Sequence, residues 1–294
     1  MLSRICTWQR RSSALCLPNA CPQPRSERIS STASLVGCCG EPVLPHRTIG
    51  VPVSQETDGR ESTAVPFDPV RRAIANRVTA SYAIPTFTAT AAADVEDLFA
   101  LRTQLNQSLS RTGQKLSVND FVVRAVALAL RRHPQVNASY SAERRGETLL
   151  HGRVHIGLAI AAPAGLMVPV LRDTDRSSLA QISSQTRDLV DRAGKRQLEM
   201  ADMADGTFTI SNLGMHGVEH FTALVIPPQG AILAVGAATQ HLRLTEDGVV
   251  ARRRMRYTIT ADHRIIDGAL AAQFLATVTH LLENPAELTA EGHA

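Results

Sequence analysis

Beyond residue 39 this chain of 294 residues contains neither cysteine nor tryptophan: Cys6, Cys16, Cys21, Cys38, Cys39 and the single Trp8 all precede that point. A body without cysteine excludes a disulfide framework, a cysteinyl zinc site and a thiol nucleophile, and it makes a reducing compartment the simpler expectation. No apolar run approaches the roughly 20 residues of a membrane helix, so a soluble protein with no membrane partner is expected. No Gly-x-Ser-x-Gly elbow occurs, which argues against a serine hydrolase. His216 and His220 are spaced by four but lack a third ligand or a carboxylate pattern, so no metal is expected.

The net charge of +4 is equally uneven. Arg4, Arg10, Arg11, Arg25 and Arg28 stand against Glu27 alone in the first 40 residues, a surplus equal to that of the whole chain. The balanced remainder has no footprint for a phosphate backbone, so no nucleic-acid partner is expected. Residues 1–64 are rich in Ser, Pro, Arg and Cys, without periodicity, and are expected to be disordered. Two readings of this tail stand: a mitochondrial transit peptide, which an arginine- and serine-rich, acid-poor start resembles, or an upstream extension without function.

What is present from residue 65 to 294 reads as one domain, and the whole chain's hydrophobic fraction of 44% is sufficient for a core. Asp68 and Pro69 suit the cap and first residue of a helix reaching Tyr82, and Thr86 to Thr90 alternates as a strand. Asp94 is expected to open a second helix, and Ser117-Val118-Asn119-Asp120 reads as the capping box of a buried third, Phe121 to Arg132. Strands are expected over Val154 to Ile160, Leu166 to Val170, Gly206 to Ser211, Ala231 to Ala237 and Arg252 to Thr260. Helices are expected over Leu179 to Ala193 and Asp267 to Glu283. This order, without regular βαβ alternation, predicts an α/β (α+β) fold with a mixed sheet and helices on one side.

Asp262-His263-Arg264-Ile265-Ile266-Asp267-Gly268 joins the last strand to the last helix, placing a histidine, the side chain suited to proton transfer near neutral pH, at a rigid strand exit. With Gly206-Thr207-Phe208-Thr209-Ile210-Ser211-Asn212-Leu213-Gly214 and Val225-Ile226-Pro227-Pro228-Gln229-Gly230, this segment resembles the catalytic domain of the dihydrolipoamide acyltransferases of 2-oxo acid dehydrogenase complexes. The resemblance extends to Arg72 to Val78, Asn119-Asp120-Phe121, Asn137-Ala138-Ser139 and Gly165 to Val170, and covers about Pro66 to Leu288.

The resemblance implies a chloramphenicol-acetyltransferase-like, trimeric fold, often assembled into larger cores, that moves an acyl group, acetyl by expectation, between dihydrolipoamide and coenzyme A. It implies His263 as base, Asp267 as its ordering carboxylate and Ser211 as hydroxyl donor to the oxyanion, with the site lying between subunits. Chemistry agrees: a thiol of pKa near ~8.5 gains from a base, and a tetrahedral oxyanion from a fixed donor. Asp267 also reads as a structural carboxylate paired with an arginine or as the cap of the last helix, and Ser211 as a strand-end hydroxyl. Arg264 is expected to support the loop, not the chemistry. The family's frequent histidine after the proline of Ile84-Pro85-Thr86-Phe87 is Thr86 here.

No Asp-Lys-Ala lipoyl-lysine motif occurs, so the lipoyl group is expected on another chain, in company with 2-oxo acid dehydrogenase and dihydrolipoamide dehydrogenase components. A non-catalytic core scaffold and an antibiotic O-acetyltransferase of the same fold are the competing functions. The expected location is the cytoplasm, or the mitochondrial matrix if the tail is a transit peptide. Because an unpatterned polar tail buries little apolar surface, removing residues 1–60 should leave melting temperature and turnover nearly unchanged; a large loss of either in the truncated protein would contradict this reading.

Overall fold

In the computed structural model, which describes residues 62–289 apart from 111, 112, 144, 145, 164 and 247, the first helix starts at its expected cap. Residues 1–61 of the tail expected to be disordered lie outside the described residues. Helix α1 (Pro69–Ser81) has Pro69 in its first turn, and the Asp68 carboxylate accepts the Arg71 amide at 2.7 Å. Strand β1 (Thr86–Asp94) runs past the alternating stretch to include Asp94. That residue belongs to the strand, opposite Arg254, and its carboxylate serves both neighbours, holding the Arg252 guanidinium at 2.8 Å and accepting the amide of Glu96, the first residue of the next helix, at 3.1 Å. Helix α2 (Glu96–Leu109) starts two residues later. Helix α3 (Val118–Arg132) carries the expected capping box, Ser117 and Asp120 accepting each other's amides, and is buried on most sides.

A short hairpin follows, β2 (Ala138–Ser141) with β3 (Glu147–Leu150), which the sequence pattern did not announce. Then come β4 (Ile156–Ala162), β5 (Gly165–Met167), β6 (Val170–Leu171) and α4 (Leu179–Gly194), the helix capped by Ser178 and Gln181. The chain closes with β7 (Phe208–Asn212), β8 (Ala231–Thr245), β9 (Gly248–Asp262) and α5 (Gly268–Glu283). The main sheet is ordered β1-β9-β8-β7-β4-β5, with β6 also on β4. β7 runs parallel to β4 and β8, and every other pairing is antiparallel. The mixed sheet expected from the element order is what forms.

Strand alternation decides what each face does. Leu233, Val235, Tyr257 and Ile259 point to one side, where they join Phe121, Phe274 and Val278 of α3 and α5 in the core. Thr209, Thr258, Thr260 and Asp262 point to the other, and all are buried although polar. Segment 213–230 crosses that second face: Gln229 Oε1 accepts the Thr209 hydroxyl at 2.6 Å, and His220 Nε2 lies 3.3 Å from Thr90 Oγ1. Among the described residues no helix is long and apolar enough to cross a membrane.

The crossing is tightest at Gly236, where a Cβ would lie 2.0 Å from the Glu219 carbonyl oxygen while the Ala237 amide donates to Val218 O at 2.8 Å. Backbone cannot yield as a flexible side chain can. Gly236→Ala should therefore destabilise the fold by about 1–3 kcal/mol, the usual cost of overpacking. A thermal melt coinciding with the parent's would show that segment 213–230 does not approach β8 this closely.

Candidate active site

Strand β9 ends at Asp262, and the next three residues turn into the approach to α5. The turn is tied at several points. The Asp262 amide donates to Gly230 O at 2.8 Å, and its carbonyl accepts the amides of Ile265 and Ile266 at 3.2 and 3.0 Å. Its carboxylate, 2% exposed, accepts the Arg264 amide at 3.0 Å, Nε at 2.9 Å and Nη2 at 2.7 Å. Hydrogen bonding to Asp262 holds the Arg264 guanidinium above its ordinary pKa. On its other side that guanidinium lies 3.6 Å from the centroid of the Tyr140 ring, a cation–π contact.

His263 is held by its backbone, the amide donating to Pro85 O at 2.9 Å. Its imidazole is exposed and leans on Phe87, with ring centroids 4.6 Å apart and planes at 58°. Thr86, where the family often has histidine, stands opposite Asp262. Asp267 caps α5: its Oδ1 accepts the Leu270 amide at 2.8 Å. Of its two bland readings the cap is therefore realised, while the arginine-paired carboxylate that secures the loop is Asp262. Sequence reasoning missed Asp262, although the Asp-x-Arg spacing around the histidine was a usable signal.

Ser211 is positioned by β7, level with Ala159 on β4 and Ala234 on β8, and through Ala234 with Thr258 on β9. Thr258 precedes Asp262 by four residues, and β9 lies two strands from β7. At roughly 3.3 Å per residue and about 4.8 Å per strand, Ser211 is roughly 16–19 Å from the His263 turn. One chain thus gathers Asp262, His263, Arg264 and Tyr140, and leaves Ser211 apart. Asn212 fixes the turn after Ser211, its Nδ2 donating to Asn119 Oδ1 at 3.0 Å and its Oδ1 accepting the Gly214 amide at 2.9 Å. A cleft of about 190 Å³ beside the His263 turn is lined by Ala80, Ala83, Ile84, Tyr140, Pro227, Pro228, Gln229, Asp262 and Arg264. Among the described residues no group of three or more His, Cys, Asp or Glu side chains is arranged to hold a metal ion.

A histidine at the exit of the last strand and a serine on a central strand of a one-sided mixed sheet form the layout of an acyltransferase catalytic domain. The family profile described as 2-oxoacid dehydrogenases acyltransferase (catalytic domain) matches residues 59–290. The chain belongs to this family. It is 39% identical over 226 residues to the dihydrolipoyllysine-residue acetyltransferase component of the pyruvate dehydrogenase complex of Rhizobium meliloti, a match covering 75% of this chain and 50% of that one. The mitochondrial counterpart of Schizosaccharomyces pombe is 38% identical over 76% of this chain and 46% of its own. The chain spans about half the length of these relatives.

A solved structure of the Azotobacter vinelandii dihydrolipoamide acetyltransferase superposes with a TM-score of 0.75 at 30% identity, covering 82% of this chain and 99% of that one. The study of that protein concerns a serine, a histidine and an asparagine in its catalytic mechanism. Its serine and histidine are 52 positions apart, the interval between Ser211 and His263, and its asparagine follows the histidine by four, as Asp267 follows His263.

If Asp267 serves the fold as a cap, Asp267→Ala should lower stability by about 0.5–2 kcal/mol, whereas Asp267→Asn, an equally good cap, should melt with the parent. Denaturant titration distinguishes the two. Equal midpoints for all three proteins would remove the cap from the account.

Proposed function

We propose that this domain transfers an acetyl group between dihydrolipoamide, presented by a lipoyl domain on another chain, and coenzyme A, as the acyltransferase of a pyruvate dehydrogenase complex. The observation that carries the proposal is the coincidence of Ser211 and His263, in order and interval, with the serine and histidine of the Azotobacter protein, on a fold that superposes with it. His263 takes the proton of the incoming thiol, and the thiolate attacks the thioester carbonyl. The Ser211 hydroxyl donates to the oxygen as it becomes an oxyanion. On collapse the carbon–sulfur bond to the first thiol breaks, and His263 returns the proton to it. Asp267, as helix cap, and Asp262, through Arg264, support the base.

A general base works within hydrogen-bonding reach of its proton, and the substrate carbonyl must lie within reach of the oxyanion donor. The strand register keeps Ser211 and His263 of one chain too far apart for that. The reading therefore includes a homotrimer or larger core in which the histidine of one subunit meets the serine of the next. The catalytic unit is taken as residues 65–294. Its complex partners are the 2-oxo acid dehydrogenase and dihydrolipoamide dehydrogenase components, in the cytoplasm or, with a transit peptide, the mitochondrial matrix.

His263→Ala should lower kcat by roughly 10²- to 10⁴-fold and Ser211→Ala by roughly 10²- to 10³-fold, each with little change in KM for acetyl-CoA. The two inactive proteins, unfolded together and refolded in equal amounts, should regain about one quarter of parental activity, because a shared site is whole when both donors are intact. Mixed oligomers confirmed by native mass spectrometry that regain nothing would refute the shared site. An acyl group found covalently attached to Ser211 would replace the direct-transfer mechanism.

A further inference from the structure

The histidine proposed as base has few contacts of its own. Its exposed imidazole leans on the Phe87 ring and, among the described residues, makes no side-chain hydrogen bond, so its placement depends on the backbone of the turn that carries it. One end of that turn is tied to β1 through Pro85. The other end is a short chain of contacts leading to a separate sheet. Asp262 receives three N–H groups of Arg264, and the planar guanidinium is clamped between that carboxylate and the face of Tyr140.

Tyr140 is itself anchored. It belongs to β2, and the neighbouring Ser139 hydroxyl lies 2.8 Å from His151 Nε2, just past β3. The hairpin is joined to the start of β8 by the Gly230 amide, which donates to Ala138 O at 2.9 Å, and by an isolated bridge between Ser139 and Gln229. A Cβ on Gly230 would lie 2.5 Å from Ala138 O, so the join admits little movement. Asp262 donates to the carbonyl of the same Gly230. The hairpin and the turn thus share Gly230 as a hydrogen-bonding partner and meet each other through Arg264.

We infer that Arg264, clamped between the Asp262 carboxylate and the Tyr140 ring, is a positioning residue that sets the reach of His263, and that the β2–β3 hairpin serves as its abutment. The inference rests on His263 as base. A buried carboxylate alone could be matched by several donors, but simultaneous bidentate pairing and ring stacking need a planar guanidinium, which lysine does not supply. Misplacing a reacting group by about 1 Å can cost on the order of 10²-fold in rate.

The test uses the full-length chain with acetyl-CoA and a reduced, lipoylated lipoyl domain. kcat and KM are measured for Tyr140→Leu, Tyr140→Phe, Arg264→Lys and the double variant Asp262→Asn, Arg264→Met, each in the parent and in His263→Ala. The double variant removes both charges, and Tyr140→Leu leaves the ion pair in place, so loss of folding through an unpaired buried carboxylate does not decide the result. In the parent, Tyr140→Leu, Arg264→Lys and the double variant should lower kcat roughly 10- to 100-fold with KM for acetyl-CoA within about twofold, and Tyr140→Phe should keep most of the activity that Tyr140→Leu loses.

In His263→Ala the same changes should cost less than about twofold, because groups that act through the imidazole have nothing left to act through. Equal fold-losses in both backgrounds would assign the clamp a general structural role and overturn the inference. So would full activity of Tyr140→Leu and the folded double variant beside an inactive His263→Ala, an outcome that leaves the base assignment standing. Parental turnover by His263→Ala would overturn both.

Discussion

The antiparallel pairing of β8 with β9 is the interaction on which the rest of the structure depends. Its ladder runs from Ala231 opposite Ala261 to Thr245 opposite Gly248, broken once by the irregularity between Val235 and Ala238. Every other part of the main sheet hangs from one of these two strands, β1 from β9, and β7 with β4 from β8. The inner halves of both strands also supply Leu233, Val235, Tyr257 and Ile259 to the floor on which α3 and α5 pack. Burial of such side chains is the main favourable term of the fold, and the ladder lets both strands present them on one face.

The same ladder makes the opposite face polar and then obliges the chain to satisfy it. A hydroxyl taken from water without a partner is costly, so a buried threonine gains from finding one. Thr258 finds Thr90 at 2.9 Å, and Thr209 finds Gln229 in the crossing segment. Thr260 Oγ1 is buried without a partner among the described residues. Segment 213–230 is thus more than a connection between parallel strands. It supplies Gln229 to the Thr209 hydroxyl on β7 and His220 to the Thr90 hydroxyl on β1.

Much of this was legible in the sequence where the cause is local. The Asp68-Pro69 start, the box of Ser117 and Asp120 and the cap at Asp267 are written in residues three or four apart, and each forms. The mixed sheet followed from the order of elements. The hairpin of β2 and β3 was not legible, because four-residue strands give too short an alternation to recognise. The outer parts of β8 and β9 escaped for another reason: Leu242, Leu244 and Val249 are exposed there, so no contrast between a wet and a dry face marks the strands. Asp94 does accept the first amide of α2, but it also ends β1, because Arg252 and Arg254, far along the chain, stand beside it. Asp262 was overlooked likewise, since its burial depends on Arg264 being held by Tyr140 from a hairpin that was itself unseen.

Register also bears on why such a site would be divided. His263 follows the end of β9 and Ser211 stands on β7, level with a β9 residue four positions earlier. Sliding β7 along β8 to close that gap would have to move in steps of two residues to keep Phe208 and Ile210 in the core, and each step would carry Asn212 away from Asn119. Bending the turn toward β7 would break the Asp262 bonds to Gly230 and Arg264 and leave a carboxylate buried without its partner, which is strongly destabilising. Neither path is open to a sheet that remains folded. On the proposed roles, a chain that keeps its base just past the end of one rigid strand and its hydroxyl donor on another gives up the freedom to bring them together by itself. On the proposed reading, assembly is then a condition of the chemistry, and the interface must be as exact as the strands, because it sets the one distance that the ladder of a single chain cannot.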